Sequence, residues 1–256
     1  MKLFNRQSIL IIFLLFNMPN AAAGEARIAA ATSLTFVLEE IIDHFHKETG
    51  HQIKTSFASS GTLTRQIEQG APFELFLSAD ESYIERLQQQ KLTRDQGPVY
   101  AYGQLAFFVP DEQNIPSIDL SLLREKLKKK SIKHFSIPNP DLAPYGRIAR
   151  QALEQTNLWD KVSPLLVIGE NASQTAMFVS TGSVDAALLP HSLAIVLKKK
   201  NKGNFQLLSE DIYDSLNQRM VLLSHAGEVA QEFYNYLLQP PAQKIFKNHG
   251  FGSIQK

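Results

Sequence analysis

The first strongly patterned stretch of the chain predicts a strand followed by a helix. The apolar run Ile28–Ala31 ends at Thr32-Ser33. Apolar residues then recur at the three- and four-residue spacing of an amphipathic helix: Leu34, Val37, Leu38, Ile41, Ile42 and Phe45. Ser33 is the expected N-cap of this helix, and Gly50 is the expected stop after its last turn.

The same order of elements follows immediately. Ile53, Thr55 and Phe57 alternate like a strand and lead to Ser59-Ser60-Gly61. We expect Ser60 to open a second helix, which ends at Gly70. Twice, therefore, a strand ends in hydroxyl residues that open a helix, and the free N–H groups and positive dipole of such an end suit an anion.

Strand and helix patterns keep alternating over the rest of the chain, which predicts α/β units on mostly parallel sheets. Further strands are expected at residues 74–78, 104–109, 134–137, 165–168, 184–189 and 220–224, and further helices at 81–90, 119–130, 147–157, 172–179, 228–238 and 240–250. A total of about ten strands is large for one open sheet. We therefore expect two lobes, with the chain crossing from one to the other near Gly103 and near Asn217. Residues 24–103 plus 217–256 then form lobe 1 and residues 104–216 form lobe 2.

The N-terminal segment has the three parts of a secretory signal. Lys2 and Arg6 precede the apolar run Ile9–Phe16, and the small residues up to Ala23 follow. The run is too short to span a bilayer, so residues 1–23 are expected to be a cleaved signal peptide and the protein to be periplasmic. The net charge of +1 indicates no nucleic-acid partner, and the absence of cysteine excludes disulfides and thiolate metal sites.

No sequence motif of a common enzyme is present. The chain lacks the P-loop, the dinucleotide fingerprint, the G-x-S-x-G elbow and the H-E-x-x-H zinc helix. A secreted serine hydrolase is still an alternative, because the fold could bring His134 or His191 to the hydroxyl of Ser33 or Ser60 as a base.

Four strand-to-helix turns carry residues suited to an oxyanion, two in each expected lobe. They are Thr32-Ser33, Ser59-Ser60-Gly61, Pro144-Tyr145-Gly146 and Asn171-Ala172-Ser173. Ligands of open α/β sheets lie outside the carboxyl ends of the strands, so the four turns are expected to converge across one cleft.

The segments RIAAATSLT, SFASSGTLTRQIEQGAPFELFLSAD and FYNYLLQPPAQKIFKNHGF resemble the periplasmic molybdate-binding proteins of ABC importers. The resemblance implies a type II periplasmic-binding-protein fold, with each lobe a mostly parallel sheet flanked by helices and the ligand between the lobes. It also implies that molybdate or tungstate binds through neutral donors, with no direct metal ligand and no cofactor. The residues that match the family's binding positions are Thr32, Ser33, Ser60, Tyr145 and Ala172.

One position departs from the family pattern. Many members have a Tyr after the Ala-Ala-Leu-Leu strand, where this chain has Pro190, and Tyr145 is expected to replace that donor. The resemblance further implies a monomer that docks on an inner-membrane ABC permease with the outer rims of both lobes. Two alternatives on a similar fold are a binder of sulfate or phosphate and a regulatory effector domain, the second of which the signal peptide disfavours.

Overall fold

The computed structural model of the protein describes residues 23–110 and 120–254. Within them, the strands are β1 Glu25–Ala31, β2 Gln52–Ala58, β3 Leu75–Leu77, β4 Val99–Gly103, β5 Leu105–Pro110, β6 Phe135–Pro138, β7 Leu166–Gly169, β8 Ala186–Pro190, β9 Gly203–Leu207 and β10 Leu216–Leu222. The helices are α1 Thr35–Thr49, α2 Ser60–Glu68, α3 Glu81–Gln89, α4 Leu120–Lys128, α5 Pro144–Gln155, α6 Trp159–Val162, α7 Ala172–Ser180, α8 His191–Lys199, α9 Glu228–Leu237 and α10 Pro240–Asn248.

The strands form two five-stranded sheets, which confirms the predicted two-lobed α/β architecture. The first sheet has the order β2-β1-β3-β10-β4 and the second has the order β7-β6-β8-β5-β9. Both sheets are mixed rather than mostly parallel, because β10 and β5 each pair antiparallel with both neighbours. The chain passes from one sheet to the other next to β5 and β10. These two strands therefore are not joined to their neighbours by the helical crossover that parallel strands require.

The opening pattern folds as its apolar spacing predicts. Val37, Leu38, Ile41 and Phe45 of α1 are buried. Gly50 follows the helix in the left-handed conformation with φ +76°, and its N–H donates to the carbonyl of His46. The alanines at the end of β1 are buried as well, as expected for a central strand covered on both faces.

The first sheet draws its strands from both ends of the chain, and the second draws its strands from the middle. The chain leaves β4 at Gly103 and enters β5 at Leu105, then returns between Leu207 of β9 and Leu216 of β10. The lobe boundaries stay a prediction at the level of single residues. Residues 1–22 of the predicted signal peptide lie outside the described residues, and no helix of the described part is long and apolar enough to cross a membrane.

Candidate functional site

The four predicted turns meet in the cleft between the two sheets. Within each lobe, two turns follow the carboxyl ends of paired parallel strands, β1 with β2 and β6 with β7. Across the cleft, the Gly61 N–H donates to the Leu142 carbonyl oxygen at 2.9 Å. The Ser173 hydroxyl donates to the Thr32 carbonyl oxygen at 3.4 Å. These contacts close the cleft around the turns.

All five predicted site residues are withdrawn from solvent. The exposed fractions are 5% for Thr32, 3% for Ser33, 0% for Ser60, 3% for Tyr145 and 4% for Ala172. A set of polar groups buried to this extent needs hydrogen-bond partners, because an unpaired buried donor or acceptor costs about 1–3 kcal/mol. The partners of each turn therefore show which groups are available to a ligand.

The first turn leaves a buried hydroxyl unpaired. Residues Thr32–Leu34 form a short 3-10 helix, and the N-cap of α1 is Leu34, so the prediction that Ser33 caps α1 is wrong. Ser33 Oγ is buried and has no hydrogen-bond partner among the described residues. The backbone N–H of Ser33, at the second position of the 3-10 helix, also lacks an intrahelical acceptor.

The second turn separates the cap from the candidate ligand donor. As predicted, Ser60 opens α2; the N-cap is Ser59, whose Oγ accepts from the Thr62 N–H at 3.3 Å. Ser60 Oγ instead accepts from the Ala79 N–H at 3.0 Å. The Ser60 hydroxyl thus keeps its proton for a further acceptor, and its N–H is at the first position of the helix, where no intrahelical bond forms.

The third turn brings Tyr145 into the first turn of α5. The phenol oxygen of Tyr145 accepts from Gln218 Nε2 at 2.9 Å, and its proton has no acceptor among the described residues. Burial raises the pKa of Tyr145 above its ordinary value, so the phenol stays neutral. Gly146 allows this helix to start close to β6, because a Cβ there would lie 2.2 Å from the Pro138 carbonyl oxygen.

The fourth turn presents the N-terminus of α7. Asn171 caps this helix by accepting from the Gln174 N–H at 3.1 Å. Ala172 is the first helical residue, so its N–H has no intrahelical acceptor. A backbone donor at this place is what the resemblance implies.

A residue that the sequence argument missed holds the first turn from the opposite lobe. Pro190 ends β8, and Ser192 in the first turn of α8 donates its hydroxyl to the Ser33 carbonyl oxygen at 2.8 Å. Ser192 shows the same signal as the other turns, a hydroxyl just after a strand end. The turn after Pro190, where many family members have a Tyr donor, thus contributes a hydrogen bond that positions Ser33.

The charged groups beside the third turn are paired with each other. Arg147, two residues after Tyr145, forms an ion pair across the cleft with Asp80, the N-cap of α3. Arg147 Nη1 also lies 3.4 Å from Asp214 Oδ2. No group of three or more His, Cys, Asp or Glu side chains that could hold a metal ion occurs in residues 23–110 and 120–254.

The base that a serine hydrolase needs is not paired with either serine. His134 is just before β6, at the end of the strand opposite to the turns. His191 Nδ1 lies 3.0 Å from the Gly250 carbonyl oxygen and 3.2 Å from Gln104 Oε1. Neither histidine makes a hydrogen bond with Ser33 or Ser60 in the described part of the chain. The arrangement offers neutral hydrogen-bond donors and helix N-termini, which suits the binding of an oxyanion.

Comparisons with known proteins show the family and the fold of the chain. A family model of bacterial extracellular solute-binding proteins matches residues 26–252. The molybdate-binding protein ModA of Azotobacter vinelandii is 32% identical over 241 residues, 91% of this chain and 91% of that protein. The protein of the same name from Rhodobacter capsulatus is 30% identical, over 90% of this chain and 89% of that protein. The solved structure of the A. vinelandii periplasmic molybdate-binding protein superposes with a TM-score of 0.81 at 27% identity, over 90% of this chain and 100% of that chain.

Proposed function

Because the chain belongs to the family of bacterial extracellular solute-binding proteins, we propose that it captures molybdate, and also tungstate, for an ABC importer. The observation that carries the proposal is the buried Ser33 hydroxyl, which has no partner where four turns converge. An unpaired buried hydroxyl in a turn that contacts the opposite lobe is explained by an acceptor ligand.

We assign five residues to the oxyanion. Ser33 and Ser60 donate through their hydroxyl and backbone N–H groups, and Ala172 donates through its backbone N–H. Thr32 donates through its hydroxyl, which makes no hydrogen bond within the described residues. Tyr145 donates through its phenol proton or its N–H. The molybdenum atom has no direct protein ligand in this assignment, and no cofactor takes part.

The donor set is sufficient for tight binding. A hydrogen bond to a charged group contributes about 1.5–3 kcal/mol, and a helix N-terminus adds about 0.3–1 kcal/mol. Micromolar affinity requires about 8 kcal/mol. Roughly four to six such donors reach this value after the cost of closing the lobes, without any cation in the site.

The proposed cellular role follows from the family and the N-terminal segment. The protein is exported by a cleavable signal peptide, works in the periplasm as a monomer, and has no enzymatic activity. It closes its two lobes on the anion and delivers it to an inner-membrane ABC permease, on which the outer rims of both lobes dock.

Titration calorimetry of the mature protein tests the proposal. Molybdate, tungstate, sulfate and phosphate are titrated separately at neutral pH. We expect saturable heat with molybdate and tungstate at low micromolar affinity or tighter, and at least a hundredfold weaker binding of sulfate and phosphate. Clear binding of sulfate or phosphate with no molybdate signal would reject the assignment in favour of another oxyanion.

A further inference from the structure

Beside the two crossings between the lobes lies a buried hydrogen-bonded network of Tyr100, Gln218 and Tyr145, here called the hinge network. Tyr100 lies in β4 and Gln218 in β10, the strands beside the two crossings, whereas Tyr145 belongs to the third turn of the cleft. The exposed fractions of the three side chains are 0%, 0% and 3%, so water does not compete for their hydrogen bonds. The network therefore connects the hinge to a candidate ligand donor.

The hydrogen bonds of the network have a defined direction. The Tyr100 hydroxyl lies 3.0 Å from Gln218 Oε1 and 3.1 Å from the Ser78 carbonyl oxygen, so these two acceptors share its single proton. In the structure the Gln218 amide has Oε1 toward Tyr100 and its NH₂ group toward Tyr145, at 2.9 Å from the phenol oxygen. An NH₂ group can only donate, so the Tyr145 oxygen is the acceptor and its own proton has to point elsewhere.

The local sequence provides the room for this contact. Gly103, the last residue of β4, lies beside both groups. A Cβ at this position would lie 2.7 Å from the Tyr145 hydroxyl and 2.8 Å from Gln218 Nε2. Any side chain there would push the two groups apart, so the glycine at the crossing is part of the network.

We propose that Gln218 is a positioning residue for oxyanion binding, which holds the Tyr145 hydroxyl as an obligate donor toward the anion. The inference rests on the proposed function. Gln218 would act on Tyr145 as the Ala79 N–H acts on Ser60. In both cases a donor bonds to the hydroxyl oxygen, and the hydroxyl proton is left for the ligand. Each lobe thus supplies one hydroxyl whose oxygen is already occupied by a donor, Ser60 in the first lobe and Tyr145 in the second, and this selects for an anion that only accepts hydrogen bonds.

Reversing the polarity of the amide provides the test. In Gln218→Glu, the carboxylate accepts the Tyr145 proton, so the phenol presents a lone pair instead of a proton to the ligand. We expect molybdate affinity to fall at least thirtyfold and the ratio of molybdate to phosphate affinity to fall at least tenfold. Tyr145→Phe removes the hydroxyl and keeps the backbone, and we expect it to weaken molybdate binding about tenfold by loss of one charged hydrogen bond.

A double mutant separates positioning from a general structural role. If Gln218 acts through the Tyr145 hydroxyl, adding Gln218→Glu to Tyr145→Phe changes molybdate affinity less than threefold. Tyr236→Phe is the matched control, since this buried phenol donates to Glu48 Oε1 at 3.2 Å inside the first lobe. We expect it to bind molybdate like the wild type.

The outcomes are distinguishable in one set of titrations. Wild-type affinity in Tyr145→Phe, or independent and multiplicative losses in the double mutant, would overturn the inference and leave the proposed function intact. An unchanged molybdate-to-phosphate ratio in Gln218→Glu would overturn it as well. A wild-type protein that binds none of the oxyanions would reject the proposed function itself, and the inference with it.

Discussion

Replacing Ser33 by alanine is expected to have opposite effects on folding and on binding. The substitution removes one buried oxygen that has no partner in the described protein. The backbone of the turn keeps its support, because Ser192 donates to the Ser33 carbonyl oxygen and Thr35 Oγ1 donates to the Thr32 carbonyl oxygen. Only the hydroxyl is lost, so the variant isolates its contribution.

The magnitudes follow from the state of that hydroxyl. An unpaired buried hydroxyl costs about 1–3 kcal/mol, so Ser33→Ala without ligand should unfold with an unchanged or higher free energy. With ligand, a hydrogen bond to a dianion worth about 1.5–3 kcal/mol is lost. Because 1.4 kcal/mol is about a factor of ten, molybdate affinity should fall by roughly ten- to 150-fold.

Urea denaturation without ligand and titration calorimetry with molybdate measure the two effects. The matched control is Ser136→Ala, which removes an equally buried hydroxyl that donates to the Val167 carbonyl oxygen at 2.7 Å inside the second sheet. The control should lose about 1 kcal/mol of unfolding free energy and keep its molybdate affinity. The reasoning is refuted if Ser33→Ala is destabilised as much as the control, or if it binds molybdate like the wild type.

Three further substitutions test the site and its surroundings. Ser60→Ala should weaken molybdate binding by about 1–3 kcal/mol. Unlike Ser33→Ala, it should also lower the unfolding free energy, because the Ala79 N–H loses its acceptor. A variant as stable as the wild type would contradict this. Gly61→Ala should leave the ligand-free protein as stable as the wild type but reduce molybdate affinity at least tenfold. The reason is that the new Cβ would lie 2.9 Å from the Leu142 carbonyl oxygen across the closed cleft. An unchanged affinity in calorimetry would argue against closure at this contact. Burial lowers the pKa of His191 below 6.5, so on acidification the unfolded chain binds a proton before the folded protein does, and the unfolding free energy falls as the pH is lowered from 7 to 5. In urea titrations His191→Gln should show a smaller fall of the unfolding free energy over this range. Equal falls in the variant and the wild type would exclude the effect.

The sequence was sufficient for features that depend on local patterns. Alternating strand and helix patterns predicted the two sheets, and hydroxyl residues after strand ends predicted all four turns. The short strands β4 and β9 were missed, although the Val-Tyr-Ala-Tyr run of β4 is typical of a strand. The N-cap was assigned to Ser33 because the inserted 3-10 turn, which shifts the helix start to Thr35, leaves no mark in the residue pattern.

Contacts between distant parts of the chain were beyond prediction for a physical reason. Ser192 and Ser33 are 159 residues apart, and Gln218 and Tyr145 are 73 residues apart. Each pair forms only because the chain crosses twice between the lobes. A hydroxyl or an amide on a buried surface has many potential partners, and only the packing of the two lobes selects one.

The proposed site uses neutral donors because the charged groups and several oxygen lone pairs around the cleft already have partners within the protein. Arg147, the cation two residues after Tyr145, is paired with Asp80, so its charge is already compensated. The Ala79 N–H occupies one lone pair of Ser60, and Gln218 occupies one of Tyr145. A hydrogen phosphate must donate a proton to the site, whereas molybdate only accepts, so filling the acceptor positions of the protein penalises the protonated anion first. Discrimination against phosphate is thus expected to depend on groups behind the site as much as on those that contact the ligand.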